Sequence, residues 1–156
     1  MFWLLFAVLL VIDQVTKYLV SSSMELGQSF PLIEGVFRLT YVHNDGAAFS
    51  ILQGQRWFFV VITLIALVAI VFVRYKYYKN DKWMTAALAV LAAGALGNLL
   101  DRFLYGYVVD FFDFYLINFA VFNFADCCIV VSLIFISILV LKTPSKGKNR
   151  DAGRLS

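Results

Sequence analysis

Charge is scarce in this 156-residue chain: Asp, Glu, Lys and Arg together make up 15% of it, against roughly 25% in soluble domains. Histidine occurs once, at His43, which rules out an H-E-x-x-H zinc site. The two cysteines, Cys127 and Cys128, are neighbours in an apolar run. Successive helical positions point roughly 100° apart, so these two are poorly placed to bridge. No basic residue stands near them to activate a thiolate, and they read as small packing residues. No G-x-S-x-G or G-x-S-G elbow and no G-x-G-D motif is present, and no internal repeat is evident. Basic residues are too few and too close to apolar runs to suggest nucleic acid as a partner.

What is abundant is hydrocarbon. The chain is 62% hydrophobic, with a mean hydropathy of +0.84, so lipid is its expected solvent. Its length leaves room for one domain. Four apolar runs predict membrane helices over about 2–21, 56–74, 83–102 and 121–141. The first has neither the basic lead-in nor the small-residue cleavage site of a signal peptide, and it reads as a retained span. The third differs in texture: Ala86, Ala87, Ala89, Ala92, Ala93, Gly94, Ala95 and Gly97 predict a closely packed central helix. Segment 22–55 is punctuated by Gly27, Pro31 and Gly35. Its stretch Val36–Val42 reads as a strand, and Asn44-Asp45-Gly46 as a turn. The fold class expected is a mainly α integral membrane protein, with four transmembrane helices and a small β-containing lobe over 22–55. Residues 143–156 read as a basic, disordered tail.

The basic residues set an orientation. Nine lie in the loop 74–82 and in the tail, against Lys17, Arg38, Arg56 and Arg102 elsewhere. By the positive-inside rule both termini are cytoplasmic, and 22–55 and 103–120 face outward. That map carries Asp13, Asn98, Asp101, Arg102, Asn123 and Asp126, from three helices, to the outer membrane boundary. Asn98 shares a helix face with Asp101 and Arg102, as Asn123 does with Asp126. Asp13 and Lys17, four apart, can pair, either as a snorkelling anchor or in support of a site. An ionised carboxylate within lipid costs several kcal/mol, on the order of 2.5–3.5 by insertion scales, so Asp126 at the head of an apolar helix needs a reason. Two carboxylates that meet can divide acid and base roles. Composition and placement alone leave three classes open: an enzyme, a proton-coupled transporter and a structural adaptor.

Five segments carry a resemblance: Asp13-Gln-Val-Thr-Lys17, Asn44-Asp-Gly-Ala-Ala-Phe49, Gly94-Ala-Leu-Gly-Asn-Leu-Leu-Asp-Arg102, Val108-Val-Asp-Phe111 and Phe122-Asn-Phe-Ala-Asp126. In this order and at these spacings the chain resembles the bacterial lipoprotein signal peptidases (signal peptidase II), over residues 2–141. The resemblance implies a multi-pass aspartic endopeptidase of the bacterial plasma membrane with its site near the outer face. Such an enzyme would cut prolipoproteins just before a diacylglyceryl-modified cysteine. It also implies Asp110 and Asp126 as the catalytic pair, with Asp13, Asn44, Asn98, Arg102 and Asn123 supporting the pair or binding substrate. Asp101 would be structural, and Asp113 is the competitor that Asp110 displaces on resemblance only. No metal, no cofactor and no obligatory protein partner is expected; the partners are lipidated prolipoprotein substrates and membrane lipid. Phe30, Phe37, Tyr41 and Phe49 are expected to rest the lobe in the headgroup zone.

Overall fold

The computed structural model describes residues 1–46 and 52–142. Within these residues the chain forms α1 (Phe2–Ser23), β1 (Ser29–Ile33), β2 (Phe37–Asn44), α2 (Arg56–Tyr77), α3 (Lys82–Leu104), β3 (Val108–Asp113), a short 3-10 turn (Tyr115–Ile117) and α4 (Phe124–Lys142). All four helices are long and apolar enough to cross a membrane. The tail and Ala47–Phe49 of the second motif lie outside the described residues.

Burial separates the helices sharply. In α3, 61% of the spanning window is buried, against 11–17% in the other three. The small residues explain this. A Cβ on Gly94 would sit 2.5 Å from the Ala125 carbonyl oxygen, and one on Gly97 would collide with the Asp13 carboxylate. Helix α3 can therefore lie against α1 and α4 only with glycine at these two places. Asp81 opens the helix by accepting the Met84 N–H at 3.0 Å. Away from α3 the helices expose large apolar side chains such as Leu4, Val61, Val68 and Ile134. Lipid is the natural neighbour of such a surface.

The sheet is three-stranded and antiparallel, in the order β1-β2-β3. Pro31 lies in β1, an edge strand, where a missing N–H is tolerated. The lobe is thus not confined to 22–55: its third strand comes from Val108–Asp113, between α3 and α4. Pairing runs Arg38↔Asp113 and Leu39↔Phe112, then slips to Val42↔Asp110 and Asn44↔Val108. The slip sets Thr40 and Tyr41 of β2 against Phe111 alone, which is a β-bulge. Val20, Tyr41, Val109 and Phe111 pack where α1 meets the sheet. Tyr41 is therefore a core residue and not an interfacial ring. The apolar surface of the lobe is instead the β1 edge, with Phe30, Leu32 and Ile33 exposed.

Helix α4 starts at Phe124, later than hydropathy predicts, because the preceding residues are claimed by the sheet. Phe122 exchanges backbone hydrogen bonds with Phe112, at 3.0 and 2.7 Å. This clip joins the entry of α4 to β3.

Candidate active site

Strand period and the clip together decide which acid meets which. Asp110 and Asp113 are three apart on β3, an odd number, so they point to opposite faces. Asp113 accepts from Arg38 Nε at 2.6 Å and from the Thr40 hydroxyl at 2.8 Å, within the sheet. Asp110 points the other way and is 2% exposed. It accepts Asn44 Nδ2 at 2.9 Å and Asn123 Nδ2 at 2.6 Å.

Asp126 lies in the first turn of α4. Its N–H donates to Asn123 Oδ1 at 3.0 Å, and its own Oδ2 accepts the Asn123 N–H at 3.1 Å. This is the reciprocal bonding of a capping box, with aspartate in the position of the glutamate. Its Oδ1 accepts Asn98 Nδ2 at 2.7 Å. Asn123 therefore touches both carboxylates, through its amide on one and its backbone on the other. Both acids, with Asn44, Asn98 and Arg102, line one cavity of about 460 Å³. Its remaining wall is apolar, including Phe119, Val121, Ile129 and Val130.

Burial is the main force raising the Asp110 acid constant, to about 7, with the Asp126 charge adding to it. The amides of Asn44 and Asn123 and the Lys17 charge pull in the opposite direction. Near neutral pH Asp110 can therefore hold a proton.

Behind the cavity lies a second acidic group. Asp13 and Asp101 both contact Lys17 Nζ, at 3.1 and 3.0 Å. Asp13 and Lys17 are 1% and 3% exposed, so this pair is buried and does not snorkel. Asp13 Oδ1 also accepts the Ala125 N–H at 3.0 Å, fixing the first turn of α4. Asp101 accepts the Val109 N–H at 3.1 Å, fixing the strand residue beside Asp110. Gln14 Nε2 donates to both acids, at 3.1 and 3.3 Å. From the sequence alone Gln14 has no assigned role, and Lys17 figures only as the mate of Asp13. The available signal was a cation on an otherwise apolar helix, four residues after an acid.

Arg102 makes no ion pair within 4 Å among the described residues. It donates to the Gly46 carbonyl at 2.8 Å and lies over the Phe59 ring at 4.8 Å. It thus secures the chain just after Asn44, whose Oδ1 accepts the Gly46 N–H at 3.0 Å. Cys128 is buried, while Cys127 lines the cavity. Both thiols are free. Among the described residues no group of three or more His, Cys, Asp and Glu side chains is arranged to hold a metal.

The model of one protein family, described as signal peptidase (SPase) II, matches residues 5–142. The chain belongs to the signal peptidase II family. Membership makes it a protease, and the match spans every element of the site. Among curated relatives, the lipoprotein signal peptidase of Brevibacillus brevis is 45% identical over 147 residues, covering 94% of this chain and 97% of that one. That of Lactiplantibacillus plantarum is 43% identical, covering 91% and 95%. A bacterial membrane enzyme solved by the in meso method at 2.3 Å superposes with a TM-score of 0.88 at 39% identity, covering 96% of this chain and 93% of that one. Signal peptidase II membership and the four apolar helices together make this a multi-pass membrane enzyme.

Proposed function

We propose that this signal peptidase II family member is an aspartic endopeptidase acting on diacylglyceryl-modified prolipoproteins. It removes the signal peptide by cutting just before the lipidated cysteine, with Asp110 and Asp126 as the acting pair. The observation that carries this reading is their convergence on one cavity, joined by Asn123 and free of any cation within 4 Å among the described residues.

In this mechanism Asp110 holds a proton and Asp126 accepts one from a water molecule. The hydroxide so formed attacks the scissile carbonyl carbon while Asp110 protonates the carbonyl oxygen. The tetrahedral intermediate collapses as Asp126 returns its proton to the leaving nitrogen and Asp110 takes back the proton it gave to the carbonyl oxygen. This breaks the C–N bond, leaves a carboxylic acid and a free amine, and restores the starting pair. Asn44, Asn98 and Asn123 hold the carboxylates, and Asp13 holds the α4 turn that carries Asp126. Arg102 holds the Gly46 carbonyl, two residues beyond Asn44. The apolar wall suits a substrate that arrives through lipid, and the exposed β1 edge suits contact with headgroups.

The same reading makes residues 1–142 one membrane-embedded peptidase unit that needs no cofactor and no protein partner. The excess of basic residues in 74–82 and in the tail supports cytoplasmic termini and a site near the outer face of the plasma membrane. The test is incubation of the purified protein with one prolipoprotein in diacylglyceryl-modified and unmodified forms. Cleavage of the modified form alone, just before the cysteine, is expected. Equal cleavage of both, or of neither, defeats the proposal.

A further inference from the structure

An amide side chain can turn either its oxygen or its NH2 toward a neighbour, so a site built on amides needs something to choose between them. Three amides hold the acidic pair, and each is oriented by a group that can only donate. Asn44 Oδ1 accepts the Gly46 N–H at 3.0 Å, which leaves Nδ2 for Asp110. Asn123 Oδ1 accepts the Asp126 N–H at 3.0 Å, which leaves Nδ2 for Asp110 and for Asn98 Oδ1 at 3.1 Å. For Asn98 the deciding donor is a side chain: Lys17 Nζ donates to Oδ1 at 2.9 Å, and Nδ2 is thereby left for Asp126. Reversing Asn98 would press its NH2 against the ammonium and its oxygen against the carboxylate.

Lys17 is well suited to make this choice. An ammonium has three N–H bonds, and three acceptors meet it: Asp13 at 3.1 Å, Asp101 at 3.0 Å and Asn98 at 2.9 Å. It is 3% exposed and does not line the cavity. Its hydrogen-bonded route to Asp126 runs through Asn98, while its charge acts on Asp110 from a distance.

We propose that Lys17 is a positioning residue for the cleavage reaction: its ammonium fixes the polarity of the Asn98 amide, which keeps a donor on Asp126 and an acceptor for Asn123. This rests on Asp110 and Asp126 being the acting pair. Without the cation, Asn98 is free to turn, Asn123 loses an acceptor, and the base drifts from its place.

The experiment compares the full-length parent with Lys17→Met, Lys17→Met/Asp101→Asn, Asn98→Ala and Lys17→Met/Asn98→Ala, all on the diacylglyceryl-modified substrate. Asp101→Asn relieves the charge that Lys17→Met leaves unpaired, and its amide oxygen still accepts the Val109 N–H. We expect Lys17→Met to lower kcat by about 100-fold, the cost typical of a misplaced catalytic group, with KM within about twofold. The Asp101→Asn addition should restore thermal stability and leave kcat low. In the Asn98→Ala background, Lys17→Met should cost less than about twofold more, because its route is already cut. Recovery of parental kcat in Lys17→Met/Asp101→Asn would reduce Lys17 to a counter-charge and overturn the proposal. An equal loss with and without Asn98 would do the same, as would failure of both Lys17 variants to accumulate. Parental turnover by Asp110→Asn or Asp126→Asn would instead remove the acting pair, a result separate from any of these.

Discussion

Asp13 and Asp101 flank the Lys17 ammonium at 3.1 and 3.0 Å, whereas Asp110 and Asp126 are held by Asn44, Asn98 and Asn123. The two acidic groups share one end of the bundle and are linked through Asn98, which touches both Lys17 and Asp126. The single cation offsets the charge of one of its two carboxylates and holds both, and they in turn hold backbone: Ala125 on one side and Val109 on the other. Amides give direction and supply no charge. A pair held only by amides keeps its mutual repulsion, and repulsion with burial is what lets one member keep a proton near neutrality. Asp113 falls on the side of the cation-held acids, since Arg38 grips it at 2.6 Å. On the mechanism proposed above, the acids paired to cations build the site and the acids held by amides act in it.

The sharpest way to break this comparison is to remove the acids of the amide-held pair one at a time. Asp110→Asn and Asp126→Asn are expected to lower turnover of the lipidated substrate by about 10⁴-fold, with the protein still inserting and accumulating. Near-parental rates from either variant would end its place in the pair. A smaller loss should follow Asn44→Ala, about 30-fold in kcat, because it strips one of the two amides from Asp110 and leaves the other. Unchanged kcat there would mean that the β2 end does not position the acid.

The pH profile sharpens the contrast further. Asp110 is raised from its ordinary 3.8 to about 7, so it carries its proton below that pH and loses it above. A doubly ionised pair cannot protonate the scissile carbonyl. The rate should therefore fall as pH rises through about 7, by about tenfold per unit well above it. A flat profile from pH 6 to 9 would contradict the proton on Asp110. The smallest effect is expected from Asp113→Asn. It should leave turnover within about twofold and cost about 1.5 kcal/mol of stability from the weakened charged hydrogen bonds to Arg38 and Thr40, read as a lower midpoint in thermal unfolding. A loss of activity as deep as that of Asp110→Asn would erase the distinction between the two acids on β3.

Much of this was legible in the chain before any coordinate. Four apolar runs predict four helices, and the Ala/Gly texture marks α3 as the packed one. The polar residues Asp13, Asn98, Arg102, Asn123 and Asp126 fall at one boundary. Other features were not legible. β1 carries a proline and little alternation, so no strand pattern stands out. β3 lies in the outward segment 103–120, where Asp110 and Asp113 stand out as acids and no alternation marks a strand. The start of α4 reads three residues early because Val121 and Phe122 are as apolar as the helix itself. Tyr41 has the composition of an interfacial ring and the position of a core residue.

Hydropathy determines the helices because a lipid solvent makes a local demand: each backbone group must be satisfied within its own segment, so a long apolar run becomes a span wherever it occurs. The acidic pair answers to no such local rule. Asp110 reaches Asp126 because β2 and β3 pair across more than sixty residues of chain, because Phe112 clips Phe122, and because Lys17, on the first helix, sets an amide on the third. Register, clip and amide polarity are relations between distant segments. Only the tertiary structure decides them, and with them why Asp110, three residues from Asp113, faces the cavity.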